Sequence, residues 1–130
     1  NNGLHSLHWT PDKVSDQVVH DRMRDLAQCF KKGAPKARIY YLMTTPHTAK
    51  RPAPKEPVKA LGEKNDVVVR LNTISEQVMK EEGIEIIDIY SVFAKRLELA
   101  SGDGYHWQRP AYQILSQEIA KRALPALGKK

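Results

Sequence analysis

The chain is 130 residues long, which gives room for one domain with one hydrophobic core. With 41% apolar and 28% charged residues, 7 Gly and 8 Pro, its composition excludes disordered, collagen-like and low-complexity classes, and no apolar run approaches the roughly 18 residues needed to cross a bilayer. The net charge of +6 is concentrated between Lys31 and Lys59, where eight basic residues meet one acidic residue, and the single cysteine, Cys29, excludes an internal disulfide and a thiolate zinc cluster.

Thr10-Pro11-Asp12 supplies a capping hydroxyl, a proline at a first helical position and an acid favoured by the helix dipole. Val19, Met23, Leu26 and Phe30 then recur at helical spacing as far as Gly33, predicting an amphipathic helix over about residues 11–31 with Cys29 packed rather than reactive. Residues 37–43, between Pro35 and Thr44-Thr45-Pro46, are short, apolar and rich in strand formers, and predict a buried strand. From His47 to Lys64, Pro52, Pro54 and Pro57 among basic residues predict a long surface loop, a kind of segment that often carries function. Asn65-Asp66 is placed to cap a second helix in which Val68, Leu71, Ile74 or Ser75, and Val78 share a face, ending at Gly83. Residues 84–90 predict a second strand covered on both faces, and Pro110 opens a last helix carrying Tyr112, Leu115, Ile119 and Ala123.

Strands alternating with helices in this way predict a single α/β domain over residues 1–130, with a parallel sheet between helical layers. Two strands cannot bury three amphipathic helices, so further strands are expected on the N-terminal side, and the chain reads as the C-terminal portion of a larger α/β unit.

Asp103-Gly104-Tyr105-His106 falls on the loop before the last helix. A carboxylate three residues before an imidazole can accept its Nδ1–H, fix the tautomer and leave Nε2 as a general base; the same spacing also fits a simple loop-capping bond. Asn1-Asn2-Gly3-Leu4-His5 could present amide donors to a developing oxyanion, or form an ordinary turn. Trp107 either walls an acyl pocket or closes the core. His8, His20 and His47 show no ligand spacing and read as surface or hydrogen-bonded histidines, so neither a metal nor a cofactor is expected.

In this order the motifs resemble the SGNH/GDSL hydrolases, a family of serine esterases, along nearly the whole chain. Residues 1–5 resemble a variant of the family's third block, residues 41–46 its strand ending in Thr-Thr-Pro, Arg70-Leu71-Asn72 with Val78-Met79 the helix before its last strand, Ile87-Asp88-Ile89-Tyr90 its Asn-Asp-Leu-Tyr, and residues 103–107 its Asp-x-x-His block. The resemblance implies a three-layer α/β/α flavodoxin-like sandwich and hydrolysis of an acetyl or short acyl ester, often on a carbohydrate. It also implies that His106 is the general base, Asp103 its orienting acid, and Asn2, Asn1 or His5 an oxyanion donor, with Asn2 and Asn1 ahead of His5 because an amide donates without being protonated. A secreted or periplasmic setting would follow as well.

The sequence departs from the family at the nucleophile. Ser6, Ser15, Ser75, Ser91, Ser101 and Ser116 are present, but none follows Gly-Asp. The nucleophilic serine is therefore expected on an N-terminal companion segment. The alternative is a non-catalytic module that holds an anionic polymer through its basic residues 31–59; neither interleaved aromatics nor a groove-entering helix points to nucleic acid.

Overall fold

The computed structural model describes residues 14–127. Along the chain lie α1 (Asp16–Gly33), β1 (Tyr40–Leu42), α2 (Asn65–Glu81), β2 (Glu85–Ile87), α3 (Ile89–Ala94), a 3-10 turn (Leu97–Leu99) and α4 (Arg109–Leu127). The two strands are parallel, with Tyr40 opposite Glu85, Tyr41 opposite Ile86 and Leu42 opposite Ile87. One face of the sheet, carrying Ile39, Tyr41 and Ile86, packs on Ala27 of α1 and Val78 and Met79 of α2. On the other, Tyr40 donates its hydroxyl to the Arg122 carbonyl of α4 at 3.2 Å. The arrangement is the three-layer α/β/α sandwich, and a separate cluster of Val58, Ile89, Phe93, Ala100, Trp107 and Ala111 fills the space under the C-terminal loops.

Local chemistry moves several element ends away from the sequence expectations. Helix α1 starts at Asp16, five residues later than predicted, because Ser15 is the residue in extended conformation whose Oγ accepts the Val18 amide. The first strand is only three residues long: Ala37 N–H turns back to the Ala34 carbonyl, so pairing begins at Tyr40. The second strand ends at Ile87 because Asp88 caps α3, accepting Ser91 N–H at 2.9 Å and Ser91 Oγ–H at 2.6 Å. Asn65 does not cap α2; it is the first helical residue and donates Nδ2–H to the Tyr90 hydroxyl. Cys29 is exposed, since the buried stripe of α1 is Val19 and Ala27.

The segment from His47 to Lys64 is irregular but not simply a surface loop. Thr48 bridges to Leu61, Thr48 is buried, and Val58 enters the core at 2% exposure. Just before it, Asn72 of α2 clamps the end of β1 from both sides: Oδ1 accepts Thr44 N–H and Nδ2 donates to the Thr44 carbonyl, each at 2.9 Å. Asn72→Ala would strand both Thr44 groups, and we expect a loss of about 2 kcal/mol of unfolding free energy, measured by urea denaturation.

Part of the apolar surface is left uncovered. Leu26 and Phe30 of α1 are 50% and 57% exposed, and with Met23, Ile39 and Tyr40 they rim a groove of about 200 Å³. Among the described residues β1 pairs only with β2, so its outer edge is open beside this groove. No helix of the described residues is long and apolar enough to cross a membrane.

Candidate active site

The turn from Ser101 to His106 is closed at its base by the Ala100–Trp107 bridge and by Ser101 N–H donating to the His106 carbonyl. Gly102 and Gly104 hold φ of +95° and +97°, a region that side chains oppose, and so let the chain curl around one carboxylate. Asp103 Oδ1 accepts three bonds: from His106 N–H at 2.8 Å, Tyr105 N–H at 2.9 Å and Ser101 Oγ–H at 2.9 Å. Its other oxygen, Oδ2, lies 2.5 Å from His106 Nδ1.

Partial burial pushes the Asp103 pKa up, but the backbone donors of His106 and Tyr105, the imidazole and the Ser101 hydroxyl outweigh it and hold the carboxyl well below the usual range. An ionised carboxylate can only accept, so the imidazole donates Nδ1–H, and in the neutral ring this leaves the lone pair on Nε2. The ring is 70% exposed, and Nε2 has no hydrogen-bond partner among the described residues. The structure thus brings Asp103 and His106 together as an oriented acid–base pair.

The depressed pKa also ties folding to pH. The folded value lies below the ordinary 3.8, so the stability Asp103 contributes is complete above that value and is lost as pH falls through and below it. Urea midpoints at about pH 5 and about pH 3 should therefore diverge more for the native chain than for Asp103→Asn, which has no proton to gain.

The irregular segment after β1 lies against this turn. Thr48 N–H donates to the Gly104 carbonyl and Arg51 N–H to the Gly102 carbonyl, both at 3.0 Å, while Arg51 Nη2 donates to the Ser101 carbonyl at 3.0 Å. The ring of His47 meets Tyr105 edge-on at 4.8 Å between centroids. His47 is buried, not on the surface; burial moves its pKa below the ordinary imidazole value, with the Gly62 backbone opposing the shift. Between this strap and the turn opens a cleft of about 650 Å³, lined by His47, Lys50, Leu61, Lys64 and Tyr105 among others. It sits beyond the C-terminal end of β1, the side of a parallel sheet where ligands bind. The contacts of His47 and Arg51 with the turn were missed in the sequence, where His47 directly follows Thr44-Thr45-Pro46 and Arg51 comes four residues later.

Trp107 does not wall that cleft. It is 6% exposed and tilted against Phe93 with centroids 4.5 Å apart, so it closes the core. Ser101 gives its hydroxyl proton to Asp103, and no hydroxyl among the described residues bonds to His106 Nε2. Asn1, Asn2 and His5 lie outside the described residues, as does Ser6. His20 is hydrogen-bonded, through Nε2 to Glu81 at 3.0 Å. Among the described residues no group of three acids, histidines or cysteines is placed to hold a metal ion.

The basic residues 31–59 fall on both sides of β1 in the chain. Lys31 and Arg38 engage Glu82 and Glu85 before the start of β1, whereas Lys50, Lys55 and Lys59 follow its end.

No protein-family model matches the sequence, and no curated protein sequence matches it. Solved structures do. The chain is similar to the esterase domain of the ORF1 protein from the zebrafish ZfL2-1 retrotransposon, with 20% identity and a TM-score of 0.66 over 83% of this chain and 62% of that one. It is also similar to a GDSL-like lipase from Parabacteroides merdae, with 17% identity and a TM-score of 0.63 over 91% of this chain and 52% of that one. A third match is LAE5, an α/β hydrolase from the metagenome of Lake Arreo, with 13% identity, a TM-score of 0.60 and coverage of 91% and 52%. The chain therefore shares the three-layer fold of these proteins. More particularly, it holds part of the fold seen in the GDSL-like lipase and the ORF1 esterase domain, and the chain spans less than two thirds of each of these proteins.

Proposed function

We propose that this chain carries the acid–base half of a serine ester hydrolase, with Asp103 and His106 as two members of a triad whose nucleophile comes from an N-terminal companion segment. The observation that carries this reading is the contact between Asp103 Oδ2 and His106 Nδ1 on a glycine turn, with Nε2 open to an approaching hydroxyl. The likeness to an esterase domain and a GDSL-like lipase supports the same chemistry. The companion has a place to dock: the open edge of β1 beside exposed Leu26 and Phe30, where added strands would cover the apolar groove.

In the proposed reaction Nε2 takes the serine proton as the serine oxygen bonds to the acyl carbon. Asp103 offsets the charge of the imidazolium that forms, and Asn2, Asn1 or His5 would donate to the oxyanion. Collapse of the tetrahedral species breaks the bond to the alcohol oxygen, which receives the proton from Nε2. Water then repeats the sequence on the acyl-enzyme, with Nε2 accepting its proton, and releases the carboxylic acid and free serine. The substrate we favour is an acetyl or short acyl ester, including one borne on a carbohydrate.

The reading is tested with a short-chain nitrophenyl ester. The complete protein should hydrolyse it and residues 1–130 alone should not. Equal activity in residues 1–130 would place the nucleophile in this chain, and an inactive complete protein would overturn the esterase reading.

A further inference from the structure

We propose that Arg51 is a positioning residue for the Asp103–His106 pair, because its backbone amide and guanidinium hold the Gly102 and Ser101 carbonyls, in the two peptides that lead into Asp103. This rests on the hydrolase reading above and adds to it a residue outside the motif.

The argument begins with the peptide planes. A carbonyl and the amide that follows it belong to one rigid unit, so fixing the carbonyl fixes the direction of the N–H. The Gly104 carbonyl accepts Thr48 N–H, and the amide sharing its plane, Tyr105 N–H, donates to Asp103 Oδ1. The Gly102 carbonyl accepts Arg51 N–H, and its plane contains the backbone nitrogen of Asp103 itself. The Ser101 carbonyl accepts Arg51 Nη2. Three carbonyls of the turn, those of Ser101, Gly102 and Gly104, are thus held by one strap.

The turn needs such an external hold. Its base is closed by Ser101 and His106, but between them stand two glycines at φ near +95°, each free to take other conformations. Packing agrees with the bonds: a Cβ on Gly102 would lie 2.6 Å from Arg51 Cβ and 2.9 Å from Arg51 Nε, so the arginine stem is seated directly on the turn. Among the described residues Arg51 Nε is buried without a hydrogen-bond partner, so the bond from Nη2 to the Ser101 carbonyl is the one that ties the guanidinium to the turn. The strap's other bonds to the turn come from its backbone, so Arg51 is where a side-chain change can loosen it.

The test is NMR of the 130-residue chain, following the low-field Nδ1–H signal of His106 and the titration of the Asp103 carboxyl, in native, Arg51→Ala, Arg51→Lys and Asp103→Asn forms. Arg51→Ala should lose the Nδ1–H signal to solvent exchange and move the Asp103 midpoint up by about one unit. Arg51→Lys, which keeps a donor within reach of the Ser101 carbonyl, should restore part of both. In the complete protein Arg51→Ala should lower kcat by roughly ten- to a hundredfold with KM unchanged. A folded Arg51→Ala chain with native signal and native Asp103 titration overturns the proposal. Should that variant not fold, Arg51→Gln, which keeps the stem on Gly102, is read by the same criteria. The control separates the two ideas: if Asp103→Asn abolishes the signal and Arg51→Ala does not, only the role of Arg51 falls, whereas a signal that survives Asp103→Asn dismisses the pair itself.

Discussion

His106→Ala in the complete protein should lower kcat for a short acyl ester by about 10²- to 10⁴-fold, the share of catalysis that a positioned general base supplies. The fold should not notice the change. The imidazole is 70% exposed and its one side-chain bond is to Asp103 Oδ2, so the melting midpoint should stay near that of the native protein while turnover collapses. KM should change little, because the proton is transferred in the transition state and not in the ground state. The assay is hydrolysis of a nitrophenyl ester beside a thermal melt of the same sample. Activity retained with a native melt would remove His106 from the reaction, and the oriented carboxylate beneath it would then be a loop-capping device. Asp103→Asn should approach the same loss by a different route, because an amide presents a donor where Nδ1–H needs an acceptor, and the ring is no longer held in the working tautomer.

The pair was legible in the sequence because it is local. Asp103, Gly104, Tyr105 and His106 adjoin in sequence, and the amides of Tyr105 and His106 bind the acid of the same turn. The long helices were legible for a similar reason, since their period and stop signals lie within each segment, as at Gly33 and Gly83, whereas the short α3 was not, its first residues reading as the end of a strand. What failed to show was whatever depends on distant chain. The start of α1 is set by the Ser15 cap, whereas the capping signal singled out in the sequence, Thr10, lies outside the described residues. Asp88 looked like part of a strand because its capping partner, Ser91, reads equally well as the next strand residue. His47 and Arg51 belonged to a proline-rich loop with no periodicity, and their partners, the Tyr105 ring for His47 and the Ser101 and Gly102 carbonyls for Arg51, come some fifty residues later. The exposed Leu26 and Phe30 point the other way. The sequence read them as core, and they stay uncovered in this chain because the surface that would cover them is not among its described residues.

Phe93→Ala should be the most damaging single truncation in the core beneath the turn, costing about 3–5 kcal/mol. Phe93 is 1% exposed and is the largest of the fully buried side chains; its ring lies against Trp107 and it shares a cluster with Ile89, Val58, Ala100 and Ala111. Those neighbours come from α3, the strap, the turn base and α4, so the cavity left behind cannot close by moving one element alone. In urea the midpoint should fall by about 2 M, taking a slope typical of a small domain. The consequence for the site follows from Trp107 and Ala100, which carry the bridge that closes the turn and which lose their packing partner. At a temperature where the variant is still folded, the His106 Nδ1–H signal should exchange faster than in the native chain, since the base of its turn is loosened. Trp107→Phe provides the contrast: its indole Nε1 has no hydrogen-bond partner, so that variant gives up only ring area and should lose well under half as much stability as Phe93→Ala.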